Sequence, residues 1–424
     1  MNIKFIKNCN CGVFILLAFF SAACASSGRQ NKNTVNNTKS GFVKGTYGYD
    51  LAFFANKQIQ TIELKDTQSK ASILLVPGYQ GRVMTSSAAG NEGQSFGWIN
   101  YKLIESGIVS TQFNPYGGEE RIWLGPEGGP FSIYFPKGKE QVYDNWVVPK
   151  EIDTKPFEVI SQTPGSVSFR KEFTLLNASG INMEIGVERT AKLLTRAEAE
   201  NVLQLSLDTS LNYVAYESEN ILTNKGKTAW TEKTGFLSIW LLSMFNPSEK
   251  GVVFIPFREG SETDLGKVVT DDYFGKVPSD RLLVKDGVLF FKTDGKYRSK
   301  IGLSPQRSLP YCGSYDPESR VLTLLWYSKS EKEAKYVNSK WGNKDNLLSG
   351  DAVNSYNDGP VEDGSIMGPF YEIESSSPAA LLAPNEKITH KQRIFHISGD
   401  ETKLSQITEK LFNLPIFEIK QAFK

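Results

Sequence analysis

Histidine and cysteine are nearly missing from this 424-residue chain, which has two of the first and four of the second. The histidines, His390 and His396, both lie near the C-terminus, so a multi-histidine zinc site is excluded by count. Three cysteines, Cys9, Cys11 and Cys24, fall at the N-terminus and leave Cys312 alone. That excludes an internal disulfide and a cysteine metal cluster in the remainder of the chain. No metal and no cofactor is expected. An excess of one charge is missing too: 48 Lys and Arg stand against 47 Asp and Glu. With no basic block, nucleic acid is not expected as a partner. The N-terminal apolar run, residues 13–20, is shorter than the ~20 residues a bilayer-spanning helix needs.

What is present begins with that run. Lys4 and Lys7 precede it, and Ser21, Ala22, Ala23 and Cys24 follow. A basic end, an apolar stretch, small residues and a cysteine read as an export signal over residues 1–23, with lipid carried on the Cys24 sulfur. An ordinary secretory signal with a stray cysteine, or a short membrane anchor, is the alternative. Residues 24–45 are polar and aperiodic, which suits a flexible tether. The expected location is the bacterial cell envelope, on the periplasmic face or the cell surface. The membrane would be a partner only through the N-terminal lipid, at roughly 0.8 kcal/mol per buried methylene.

Beyond the tether, strand signals dominate. Residues 71–76 are apolar and end at Pro77 and Gly78. Segments 166–173, 182–189, 202–207, 251–256, 288–291 and 320–327 also read as strands, separated by Gly, Asn, Asp and Pro turns. Helical spacing is clearest after Asp400, a good N-cap, where Leu404, Ile407, Leu411 and Phe412 recur until Pro415. The expectation is an all-β fold, with residues 46–424 forming one domain closed by a short C-terminal helix.

Polar, glycine-rich segments carry the candidate chemistry. In segment 114–130, glycine pairs flank Glu119, Glu120, Arg121 and Trp123. Paired glycines permit turns or close approach to a ligand. The arginine can hold oxygens by two bonds, and the tryptophan offers a flat apolar face. Asp271 and Asp272 are adjacent but lack EF-hand spacing, while Asp294 and Gly295 read as a hairpin turn. Tyr356, Asn357 and Asp358 precede a strand in which Glu372 and Glu374 point to one face and Tyr371 and Ile373 to the other. Two carboxylates on one face repel, which raises one pKa and suits a general acid or base. His390 and His396 share a strand face with Gln392 and Ile394. A hydrogen-bonded structural place and a role in a site both fit them.

At these segments the chain resembles the galactose mutarotase-like superfamily, the aldose 1-epimerase-like β-supersandwiches. Within it, the chain is similar to envelope lipoproteins of gut-type bacteria. The resemblance rests on residues 76–83, on 117–123, on 220–224 with Trp230, and on 371–374 followed by Ser377 and Pro378, residues 382–386 and the His390 strand. It implies a β-supersandwich with a concave carbohydrate cleft and a catalytic glutamate that carries over onto Glu372 or Glu374. Sugar epimerases of this group pair that glutamate with a central histidine. This chain has none before His390.

The combined expectation is a lipid-anchored envelope protein with a carbohydrate ligand. Glu374 and Glu372 are the catalytic candidates. Glu119, Glu120, Arg121, Trp123, Tyr356, Asn357, Asp358 and His390 are the substrate-binding candidates. Three readings stand side by side: an epimerase-, lyase- or hydrolase-like enzyme, a non-catalytic carbohydrate-binding protein, and a structural envelope protein using the fold as scaffold.

Overall fold

Period-two alternation governs this structure. It is a computed structural model that describes residues 41–330 and 334–424. The expected signal, Cys24 and the tether as far as residue 40 lie outside the described residues. Among the described residues the strands form a ten-stranded, a five-stranded and a three-stranded sheet, and every pairing between named strands is antiparallel.

The five-stranded sheet runs Ser299–Leu303, Val353–Asn357, Tyr371–Ser376, Ser238–Phe245, Arg121–Gly125. The central strands of the large sheet are Val321–Tyr327, Lys387–Ser398, Asn212–Asn224 and Asn182–Leu193. Residues such as Ile122, Leu241, Ile373 and Val353 meet Ile185, Val214, Leu222 and Ile394 in one apolar cluster. Each fully buried aliphatic or aromatic side chain contributes on the order of 1.5–3 kcal/mol there.

The large sheet has a second apolar layer on part of its other face. Tyr213, Ala215, Phe254, Leu324 and Phe395 pack there against Leu404, Ile407, Ile416 and Ile419. The last four come from helices Glu401–Phe412 and Ile416–Gln421. Asp400 caps the first, accepting from the Lys403 amide at 3.2 Å, as its sequence predicts. Helix Tyr47–Asn56 packs on the three-stranded sheet through Phe53, Phe54, Leu74 and Val76. The architecture is thus the all-β sandwich, with a short C-terminal helix, that alternation predicts.

Two local expectations are overturned. Residues 202–207 are no strand, because helix Arg196–Leu203 runs into them. Thr195 and Glu198 close a reciprocal capping box at its start, and this local signal outweighs the Leu-x-Leu alternation. Asp294 and Gly295 do turn the chain, but they make no hairpin. The flanking strands Val288–Lys292 and Ser299–Leu303 belong to different sheets. Buried Asp294 instead pairs with Arg281.

Candidate functional site

Antiparallel register sorts the five-stranded sheet into two faces. Arg121 pairs with Leu242 and Leu242 with Glu374, while Glu374 pairs with Asn354 and Glu372 with Met244 and Tyr356. Tyr356 pairs in turn with Lys300, and Trp123 with Trp240. Directly paired residues point the same way. Arg121, Trp123, Trp240, Glu372, Glu374, Asn354, Tyr356 and Lys300 therefore share the face turned away from the large sheet.

On that face the two glutamates hold different partners. Glu374 Oε2 accepts from Lys300 Nζ and from Trp240 Nε1, each at 2.8 Å. Its other oxygen, Oε1, is buried with no protein partner. Glu372 Oε1 accepts from Arg121 Nη2 at 3.3 Å. Burial raises the Glu372 carboxyl, Arg121 and Lys300 oppose this, and Glu374 and Asp358 add to it; the result is about 7. Same-face repulsion was expected from the sequence, but burial is the larger cause.

Further ionisable groups surround Lys300. Burial pushes Glu127 up to about 7, against the pull of Lys300. Burial likewise pushes Asp351 up to about 6, although Tyr273 and Thr270 bond it. For Lys300 itself, burial lowers the pKa, and Glu374, Glu127 and Glu372 outweigh that, so it is raised. The ammonium lies 5.0 Å from the Trp240 ring centroid and 5.6 Å from that of Tyr273. The Lys300 side chain is 13% exposed and Tyr273 is 37% exposed. Glu127 and Asp351 are partly exposed as well, while Glu372, Glu374 and Trp240 are buried.

Lys300, Trp240, Glu127, Tyr273 and Asp351 are not among the residues picked out by the sequence. Lys300 stands in a short strand whose Ile301 and Leu303 are core residues. A lone lysine in such a strand is the one available signal, and it becomes legible only when the strand's partner is known.

The other candidates divide. Arg121 stands with the glutamates, as expected. Tyr356 shares the face, and its hydroxyl donates to Asp358 Oδ1 at 2.9 Å. Asn357 does not share it. It points to the opposite face, accepts from the Gly295 amide at 2.9 Å and donates to the Tyr297 carbonyl at 2.9 Å. Trp123 is on the face but offers no open platform. The Arg121 guanidinium lies over its ring at 4.3 Å, and Phe113, Trp146, Tyr134 and Trp240 surround it.

Glu119, Glu120 and His390 are elsewhere, fully buried: His390 lies in the ten-stranded sheet, Glu120 packs against that sheet, and Glu119 bridges it and the three-stranded sheet. Alternation turns Glu120 inward where Arg121 turns outward. Glu120 pairs with Arg189 at 2.6 Å and accepts from Ser218 Oγ at 2.9 Å and Gln392 Nε2 at 3.0 Å. Glu119 Oε1 accepts from Ser86 Oγ at 2.8 Å and sits 3.0 Å from His396 Nε2. His390 contacts Ser375 Oγ through Nε2 at 2.8 Å and Ser328 Oγ through Nδ1 at 3.1 Å. Burial pulls its pKa down to about 3, so it is neutral at ordinary pH. The structure therefore does not bring these three into one site with Glu372 and Glu374.

The glycine pairs serve the protein's own backbone. Gly117 and Gly118 have φ of +87° and +116°. A Cβ at Gly117 would strike the Trp98 carbonyl, and one at Gly118 the Arg82 side chain. Close approach is needed, as expected, but the neighbours are protein atoms. Asp271 pairs with Lys276. Among the described residues, no group of three or more His, Cys, Asp and Glu is placed to hold a metal ion.

Against known proteins, the chain matches the model of a family of unknown function, DUF6786, over residues 45–423. No curated protein matches its sequence. Solved structures similar to it include the Slr1438 protein of Synechocystis sp. PCC 6803, at 15% identity and a TM-score of 0.50, over 81% of this chain and 96% of that one. A galactose mutarotase-like protein from Lactobacillus casei aligns at 9% identity and a TM-score of 0.46, over 80% of this chain and 100% of that one. A galactose mutarotase related enzyme from Lactobacillus acidophilus aligns at 10% identity and a TM-score of 0.45, over 80% and 97%. The likeness to the Slr1438 protein is one of fold. The chain belongs to the DUF6786 family.

Proposed function

We propose that this member of the DUF6786 family binds a sugar on the outer face of its five-stranded sheet and exchanges a proton with it through Glu372. One observation carries this reading. A carboxyl group raised to about 7 shares a sheet face with a second glutamate whose Oε1 is buried and unpartnered, and with Lys300. A buried acceptor without a partner costs on the order of 1–3 kcal/mol, and a sugar hydroxyl satisfies it. Near neutral pH a group with a pKa of about 7 exists in both forms. As a carboxylate, Glu372 takes a proton from a hydroxyl; as a carboxylic acid, it returns one. Lys300 and Arg121 provide the positive charge that a histidine supplies in the sugar epimerases of the resembled group.

The envelope part of the reading rests on sequence alone. The basic, apolar and small-residue order before Cys24 supports export and lipid attachment at that thiol, with the domain held at a membrane surface.

Saturation-transfer NMR with a panel of mono- and oligosaccharides tests the binding claim. At least one sugar should receive saturation from the wild-type protein, and Glu374→Gln should weaken that sugar's binding about tenfold or more. A panel in which no sugar binds, or a variant that binds unchanged, contradicts it.

A further inference from the structure

Arg121 has more donors than acceptors. Its side chain is 6% exposed. Only Nη2 has a hydrogen-bond partner, the Glu372 oxygen at 3.3 Å, while Nε and Nη1 are buried with none. A guanidinium presents five N–H donors in a fixed planar fork, so most of this fork is unfilled. Leaving buried donors unpaired is costly, more so on a charged group.

The charge around Arg121 points the same way. A second buried guanidinium, Arg82, is near enough to be felt. Burial first and Arg121 second lower its pKa, to about 9. The acceptors of Arg82 are neutral: the Gly117 carbonyl at 2.6 Å and Gln80 Oε1 at 3.2 Å. Two carboxyl groups face the pair, Glu372 and Asp153. Burial raises both, which disfavours their charged forms. Asp153 is already engaged by Asn114 Nδ2 at 2.7 Å. Two buried cations thus face two carboxyls that are each drawn toward neutrality.

We infer that the sugar is acidic, with its carboxylate seated on the unfilled fork of Arg121. This rests on the sugar-binding reading above and names the substrate class of that site. A planar carboxylate meets a guanidinium with two parallel bonds, filling Nε–H and Nη–H together, which a lone hydroxyl cannot do. An anion there also favours the protonated form of Glu372, leaving it poised to donate. Phe113, with its ring centroid 5.5 Å from the guanidinium, and Trp123 wall the site in apolar surface, which strengthens the charge pairing.

Calorimetric titration of the mature chain tests this at pH 6.5. The ligands are D-galacturonate and D-glucuronate, their neutral parents D-galactose and D-glucose, and the corresponding 6-phosphates. A uronate should bind about tenfold or more tighter than its neutral parent. Arg121→Gln should collapse that preference to near unity. Should that variant fail to fold, Arg121→Lys, which keeps the charge and loses the fork, should cut the preference severalfold. Equal binding of uronate and neutral parent overturns the inference and leaves the sugar site standing. A phosphosugar that outbinds the uronate overturns the carboxylate assignment. Absence of binding by any sugar overturns both readings.

Discussion

Lys300 Nζ lies 2.8 Å from Glu374 Oε2, joining two strands that are not neighbours in the sheet. Val353–Asn357 runs between them and contributes Asn354, whose Nδ2 donates to the Tyr273 hydroxyl at 3.0 Å. The pair is buried on the Glu374 side and opens toward solvent on the Lys300 side, where a ligand would enter.

Breaking that pair from one end leaves a buried carboxylate with Trp240 as its remaining partner. Lys300→Met should destabilise the fold by about 3–5 kcal/mol. Adding Glu374→Gln should recover part of this, because the uncompensated charge is removed. Urea unfolding of the two single variants and the double variant gives the coupling. Additive losses would show that the pair contributes nothing as a pair.

Glu372 predicts a direction for stability against pH. Its ordinary value is 4.5, and in the fold it is raised to about 7. The folded state therefore favours the protonated form. The stability from this group is complete below about pH 4.5 and is lost as pH rises through about 7. Arg121, Glu374, Lys300 and Asp358 all act on it. Between pH 5 and pH 8, wild type should lose about 1–3 kcal/mol more than Glu372→Gln. Denaturant midpoints at both pH values measure this, and parallel profiles would count against it.

The Glu120–Arg189 pair, fully buried between the sheets, is predicted to hold the fold and leave the sugar site alone. Arg189→Met strands a buried carboxylate and should cost about 3–5 kcal/mol. Sugar affinity per folded molecule should stay within about twofold. A folded variant that no longer binds sugar would return Glu119 and Glu120 to the site.

Anchoring is predicted to require the Cys24 thiol. In fractionated cells, Cys24→Ala should move from the membrane to the soluble envelope fraction. Unchanged membrane association would rule out lipid at that residue.

The sheets were legible because alternation is local. Segments 166–173 and 182–189 lie within strands Ser166–Leu176 and Asn182–Leu193, and segment 320–327 covers strand Val321–Tyr327 with one turn residue, Arg320, before it. The same alternation correctly put Glu372 and Glu374 on one face. It could not say which strands lie beside them, since register between distant segments is a tertiary property. Lys300 and Trp240 reach Glu374 from 74 and 134 residues away, and no spacing in the sequence encodes that. Glu119 and Glu120 look like partners of Arg121 because they are adjacent to it, yet alternation turns Glu120 to the opposite face, and Glu119 precedes strand Arg121–Gly125, after the positive-φ Gly117 and Gly118, and meets Ser86 and His396 instead. Helix Arg196–Leu203 was hidden for the opposite reason: its capping box is readable, but Leu203, Leu205 and Leu207 mimic a strand.

The central claim is that Glu372 exchanges a proton with a bound sugar on this sheet face. Magnetisation-transfer NMR tests it directly, by following anomer exchange of each reducing sugar that binds, in the presence of wild type and of Glu372→Gln. The account predicts protein-dependent exchange that falls about 10²–10⁴-fold in the variant, while circular dichroism shows the fold retained. Exchange at the same rate with both proteins, or with neither above the spontaneous rate, would contradict it.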